Sequence, residues 1–183
     1  ELLWNGQPSR SAPWVAVEAQ ARTRGVPLRA LGTAIKRQPQ DGPWEVLAPY
    51  PPKQAKRRSR AKKRKKPDTN AASVVLRVED WLLLTGDFDN KGEARLLKQG
   101  LEPVQVLKVG HHGSRTSTSP AFVRALRPEL ATISNGRRNS YGHPHAQALK
   151  ALAKTPLLRT DVQGCLSLER ATDGRLNIHT WWV

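Results

Sequence analysis

Short apolar runs and amphipathic stretches alternate along most of the chain. In "NAASVVLRVEDWLLLTGD", Val74, Val75, Leu76 and Val78 form one apolar run, Glu79 and Asp80 break it, and Trp81 to Thr85 form another. That pattern predicts a β-hairpin. "NKGEARLLKQGLEP" predicts a helix with Leu96 and Leu97 facing a core and Gly100 as its stop. "VQVLKVG" reads as a strand, and "SPAFVRALRP" as a helix with Ser119 as N-cap and Pro120 in its first turn. "LATISNG" reads as a strand and "HPHAQALKALAK" as a helix opened by Pro144. "PLLRTD", "GCLSLER" and "RLNIHTWWV" are closing strands. Nearer the N-terminus, "SAPWVAVEAQARTRGVPL" fits a helix over about 12–24, stopped by Gly25 and Pro27, and "PWEVLAPYPP" a short strand ended by prolines. Strands alternating with helices across short links argue for an α/β layered fold.

The polar chemistry collects where the predicted strands end. Asp87 follows one apolar run and His111-His112 the next; Asn135-Gly136 and the stretch from Tyr141 to His145 follow a third. Strand ends of neighbouring strands share one rim, where sites are usually built. A carboxylate on one strand end and imidazoles on the next suit a borderline or hard divalent metal such as Zn²⁺ or Mn²⁺. Gly86 and Gly110 are expected to let the backbone turn tightly there. Each feature also has a plain structural reading. Asp87 serves equally as a turn or helix cap, and the histidine pair as one buried and one exposed residue. His143 and His145 suit helix-start packing, and the hydroxyls of "STSP" suit a cap for the following helix.

Charge changes the picture in one place. Ten of the fourteen residues in 53–66, "KQAKRRSRAKKRKK", are Lys or Arg with no acid, and removing them leaves +6 of the formal +16. Like charges repel and nothing apolar offsets the ordering entropy, so this segment is expected to be a disordered surface insertion. Three readings stand: a solvated loop, attraction to phosphates of nucleic acid or anionic lipid, or a nuclear localisation signal. For phosphate binding, Lys56, Arg57, Arg58, Arg60, Lys62, Lys63, Arg64, Lys65 and Lys66 would contact a DNA backbone. The segment has no aromatic residue for base stacking, so it should add affinity without sequence preference. Deleting residues 53–66 is then expected to flatten the decline of log affinity with log salt; an unchanged slope would mark a solvated loop.

The length of 183 residues allows one domain, or one with an insertion. The chain begins at Glu1 and contains no Met, which reads as a piece of a longer protein. These residues hold no apolar run near the roughly 18–20 of a membrane span and no secretory signal pattern. The single Cys165 excludes an internal disulfide and a Cys-rich zinc site, and is expected to be a small buried residue of its strand.

"LLLTGD", "GEARLL", "VQVLKVGHHGSRTSTS", "ATISNGRRNSYGHPH" and "RTDVQG" occur in that order. This succession resembles the C-terminal metallo-β-lactamase-like domain of DNA-uptake channel proteins of the ComEC/Rec2 type, over roughly residues 70–170. The resemblance implies an αβ/βα sandwich with its site on one rim, and a chain of 1–183 that is one partial domain, the C-terminal half. It makes Asp87 similar to a metal-binding carboxylate and the His111-His112 pair similar to the fold's late His motif. Asn70 falls where the wider superfamily often carries a His ligand. The superfamily's first motif, His-x-His-x-Asp-His, is absent, and residues 1–50 contain no His. The chain alone is therefore expected to be inactive and to expose apolar surface.

The function this implies is a metal-dependent phosphodiesterase or nuclease acting on DNA during uptake, within a parent membrane channel and the competence machinery. Asp87 and His112 would bind the metal, and His111 and His143 would be catalytic. Ser114, Thr116, Ser117 and Tyr141 would bind substrate. No small-molecule cofactor is evident. Two alternatives stay open. One is a non-catalytic DNA-binding module. The other is a hydrolase of another phosphodiester, since His-His-Gly also resembles the motif of phosphorylcholine esterases in the same superfamily.

Overall fold

The computed structural model describes residues 2–4, 11–30, 43–48 and 70–182. The basic segment 53–66, with Lys56 to Lys66, lies outside the described residues. The chain runs β1 (Leu2–Trp4), α1 (Ala12–Thr23), β2 (Leu28–Ala30), β3 (Trp44–Ala48), β4 (Val75–Val78), β5 (Leu82–Leu84), α2 (Asn90–Lys98), β6 (Val106–Lys108), α3 (Pro120–Leu126), β7 (Leu130–Ile133), α4 (Ala146–Ala151), β8 (Leu157–Arg159), α5 (Thr160–Gln163), β9 (Cys165–Arg170) and β10 (Leu176–Trp181).

Strands β3 to β8 form one six-stranded sheet in sequence order. Its first two pairings are antiparallel, and β5, β6, β7 and β8 are parallel, joined by α2, α3 and α4. The fold is therefore α/β. Register explains which residues enter the core. Leu83, Leu107 and Ala131 stand side by side and bury against Leu96 of α2, Phe122, Val123 and Leu126 of α3, and Leu152 beyond α4. Leu84, Lys108 and Thr132 stand on the other face. The β9–β10 hairpin lies over that face, tied down by Arg170 to Asp80 at 2.6 Å and by the Gln105 amide to the Gly174 carbonyl at 2.9 Å. A cavity of about 340 Å³ between them is lined by Leu82, Leu84, Lys108 and Leu168.

The hairpin, the helix at Asn90 and the Ser119 cap lie where the apolar pattern puts them; the Ser119 side chain accepts from the Phe122 N–H. Three expectations need correction. The fourth helix begins at Ala146, not Pro144, because His145 is extended and its N–H donates to the Gly113 carbonyl at 2.9 Å. "PLLRTD" stops being a strand at Arg159, where Thr160 opens a one-turn helix. Cys165 is exposed. Among the described residues its strand pairs with β10 alone, and Cys165 stands at the strand's first position opposite Trp181.

Candidate metal centre

Parallel strands β5, β6 and β7 end on the same side of the sheet, and each carries site residues just beyond its C-terminal end. Asp87 follows β5, His111 and His112 follow β6, and the loop from Ser134 to His145 follows β7. The Asp87 N–H donates to the Ser73 hydroxyl at 3.1 Å, and the His111 N–H to the Gly86 carbonyl at 2.9 Å, so the first two strand ends are stitched together.

The histidine pair sits on a strained turn. His111 (φ 47°), His112 (φ 54°) and Gly113 (φ 79°) are all left-handed, a region that costs a non-glycine residue about 1–3 kcal/mol. The turn thus falls on the histidines themselves. Gly86 (φ 53°) turns as expected, whereas Gly110 lies outside the left-handed region.

This backbone sends the two rings to different partners. The His112 Nδ1 lies 2.6 Å from the Ser134 carbonyl oxygen, which can only accept. The proton is therefore on Nδ1, and in the neutral ring the lone pair is on Nε2. That Nε2 faces Asp87 Oδ1 at 3.7 Å, with both side chains about half exposed. The His111 Nδ1 lies 3.4 Å from the Asn70 amide nitrogen. An amide N–H donates, so Nδ1 accepts and the His111 proton is on Nε2. Partners thus assign adjacent imidazoles opposite tautomers.

His143 stands at the centre of the remaining rings, its centroid 5.7 Å from His111, 6.4 Å from His112, 4.8 Å from His145 and 5.8 Å from Tyr141. Burial, then the neighbouring imidazoles and Arg115, push its pKa below the ordinary histidine value. Its backbone is clamped: the Asn139 and Asn135 amides donate to its carbonyl at 2.8 and 3.1 Å, and its N–H donates to Asn139 Oδ1 at 2.9 Å. The Nε2 of His145 lies 2.9 Å from the Arg115 guanidinium.

The hydroxyls divide into two groups. Ser117 is buried, 2.8 Å from the Gly110 carbonyl, and Ser114 is buried with its hydroxyl 3.1 Å from that of Thr116. Both hold the loop in shape. Thr116 and Tyr141 are exposed, Tyr141 to 75 %.

Sequence reasoning missed three supports. Glu93 on α2 is 2 % exposed and accepts from the Thr118 and Ser119 N–H groups at 2.5 and 2.8 Å. Asn139 had no signal beyond a polar turn. Lys108 did have one, as the single charge inside "VQVLKVG"; burial lowers its pKa, opposed by nearby Asp87.

Gly113 links the histidine turn to the third strand-end loop. A Cβ at Gly113 would lie 2.6 Å from Cβ of Pro144, at a φ that side chains resist. Gly113→Ala is expected to cost about 2 kcal/mol or more, from overpacking plus left-handed strain. Thermal or chemical unfolding of the variant measures it.

No family model matches the chain. Over 153 residues it is 35 % identical to ComE operon protein 3 of Bacillus subtilis, an alignment covering 80 % of this chain and 18 % of that protein. Over 135 residues it is 40 % identical to competence protein ComA of Neisseria gonorrhoeae, covering 67 % and 19 %. Recombination protein 2 of Haemophilus influenzae is 40 % identical over 100 residues, covering 52 % and 13 %. The chain belongs to the ComEC/Rec2-type competence proteins. It spans under a fifth of the length of these relatives.

The divalent metal expected from the sequence resemblance can be tested against the donors present. Ligands about 2.0–2.2 Å from one tetrahedral metal stand roughly 3.4 Å apart. The 3.7 Å between His112 Nε2 and Asp87 Oδ1 is close to that edge. The Ser134 carbonyl supplies the outer hydrogen bond that ligating histidines usually make. The pair therefore fits one side of a metal site. Among the described residues no group of three or more His, Cys, Asp or Glu is placed to hold a metal, and none of their helices is long and apolar enough to cross a membrane.

Proposed function

We propose that this chain supplies the Asp87–His112 side of a metal-dependent phosphodiesterase site, in a metallo-β-lactamase-like sandwich, that cleaves DNA during its uptake. The observation that carries the reading is the His112 ring: its Nδ1–H is held by the Ser134 carbonyl, and its Nε2 faces the Asp87 carboxylate. The remaining ligands are taken to come from a His-x-His-x-Asp-His segment, which no stretch of the 183 residues contains.

A bound Zn²⁺ or Mn²⁺ would supply a water of lowered pKa and neutralise charge on the phosphoryl oxygens. Asp87 and His112 hold and orient it. His111, with its proton on Nε2, donates to a phosphate oxygen or to the leaving group. His143, whose lowered pKa keeps it unprotonated near neutral pH, accepts a proton. Thr116 and Tyr141 stand exposed for contact with the strand, while Ser114 and Ser117 act by shaping the loop. DNA, a parent membrane channel and the competence machinery are the partners this reading gives the chain.

A second reading, a non-catalytic DNA-binding module, draws on the absence of a three-ligand group among the described residues. A nuclease assay separates the two, run across Zn²⁺, Mn²⁺ and Mg²⁺ on a protein carrying this chain and the missing motif. Hydrolysis that a chelator abolishes is expected; strand binding without cleavage under every metal would leave the binding module.

A further inference from the structure

Between α3 and α4 lies a groove of about 970 Å³. Among the described residues Arg115, Arg124, Arg127, Lys150 and Lys154 line it, and no Asp or Glu does. All five cations are exposed. Among the described residues none of them has a carboxylate partner. The pattern of the two helices produces this. Phe122, Val123 and Leu126 turn one side of α3 to the core, and Ala148 does so for α4, which leaves Arg124 and Lys150 outward.

Helix dipoles account for part of the charge, since a cation near each C-terminus is stabilising. They do not account for Arg115, which comes from the histidine loop. Nor do they account for the lack of any acid where acid–base pairs would support exposed helices. Five like charges around one concavity, none with a carboxylate partner among the described residues, repel one another, and a polyanion entering it relieves that repulsion.

At Arg115 the groove adjoins the imidazole cluster. The Arg115 guanidinium lies 2.9 Å from His145, whose ring is 4.8 Å from that of His143. We infer that the α3–α4 groove carries the phosphodiester backbone of a nucleic-acid strand to the imidazole cluster, with Arg124 and Lys150 on its walls and Arg115 at its inner end. The inference rests on the reading of the site as a DNA hydrolase. A strand can follow a concave, cation-lined path between two helices; a bilayer surface cannot enter one.

Binding of a labelled oligothymidine strand, followed by anisotropy against salt, tests this in the 183-residue chain and in the chain with 53–66 replaced by Gly and Ser. Two variants are compared with the parent, Arg124→Gln/Lys150→Gln and Arg124→Glu/Lys150→Glu. Both positions are exposed, and circular dichroism confirms that the variants fold. The charge-neutral pair is expected to bind about tenfold more weakly near 0.1 M salt, with a log–log salt slope shallower by about 1.4, and the reversed pair more weakly still. If the parent binds and both variants match it in affinity and slope, the groove is not the path while the DNA reading stands. If the parent chain binds no strand in either background, both fall. Loss of binding to phosphatidylserine vesicles with strand binding intact overturns the inference in favour of a membrane surface.

Discussion

In a protein that carries this chain together with a His-x-His-x-Asp-His segment, His112→Ala and Asp87→Ala are each expected to lower metal content and abolish DNA hydrolysis. His111→Ala is expected to keep the metal and slow turnover by about 10²-fold or more, the usual size for a lost acid–base group. The difference follows from the rings' partners. His112 offers Nε2 toward Asp87 because Ser134 occupies its Nδ1 proton, whereas Asn70 occupies Nδ1 of His111 and leaves a proton on its Nε2. Metal content and single-turnover cleavage on the three variants measure it. Loss of metal in His111→Ala with metal retained in His112→Ala would reverse the roles; retention in both would mean the pair is not a metal motif.

Glu93→Ala carries the largest expected cost in stability. It would leave the Thr118 and Ser119 N–H groups without their acceptor inside the protein, which costs about 2–5 kcal/mol for two donors. Those two bonds also hold Thr118 at φ 62°, a left-handed conformation that a β-branched residue resists. The strained stretch from His111 to Thr118 is therefore anchored at its far end by a residue of α2. Glu93→Gln keeps one acceptor oxygen and is expected to lose about half as much. Denaturant midpoints of the two variants check this; equal stability of Glu93→Ala and the parent would show that the loop needs no anchor. Burial pushes the Glu93 pKa up from its ordinary value near 4.5, and the Ser119 and Thr118 hydrogen bonds oppose that shift without cancelling it. With the folded pKa raised, this group's contribution is full below about 4.5 and declines as pH rises through the folded value. The Gln variant should lack that decline.

The apolar pattern carried most of the fold because burial follows periodicity. Leu96 enters the core as its helix spacing predicts, Leu83 and Leu107 bury within the apolar runs read as strands, and Ser119 caps the helix it precedes. The rim could be read as well, because polar residues at successive strand ends converge in any parallel sheet. The orientation of the histidines could not. It depends on left-handed backbone at two non-glycine residues and on a main-chain carbonyl at Ser134, and neither leaves a trace in residue types. The role of Glu93 was equally hidden, since its partners are backbone N–H groups 25 and 26 residues away. Cys165 misled because it stands at the first position of β9, which among the described residues pairs with β10 alone, and is exposed there.

The imidazole ¹⁵N spectrum of the 183-residue chain, followed while Zn²⁺ is added, bears most directly on the proposed centre. His112 is expected to be protonated at Nδ1 and His111 at Nε2 before the metal arrives. Added Zn²⁺ should then displace the His112 Nε2 resonance and leave both His111 nitrogens in place, and Asp87→Ala should abolish the response. The same tautomer on both rings, or a Zn²⁺ response at His111 with His112 unmoved, would contradict it.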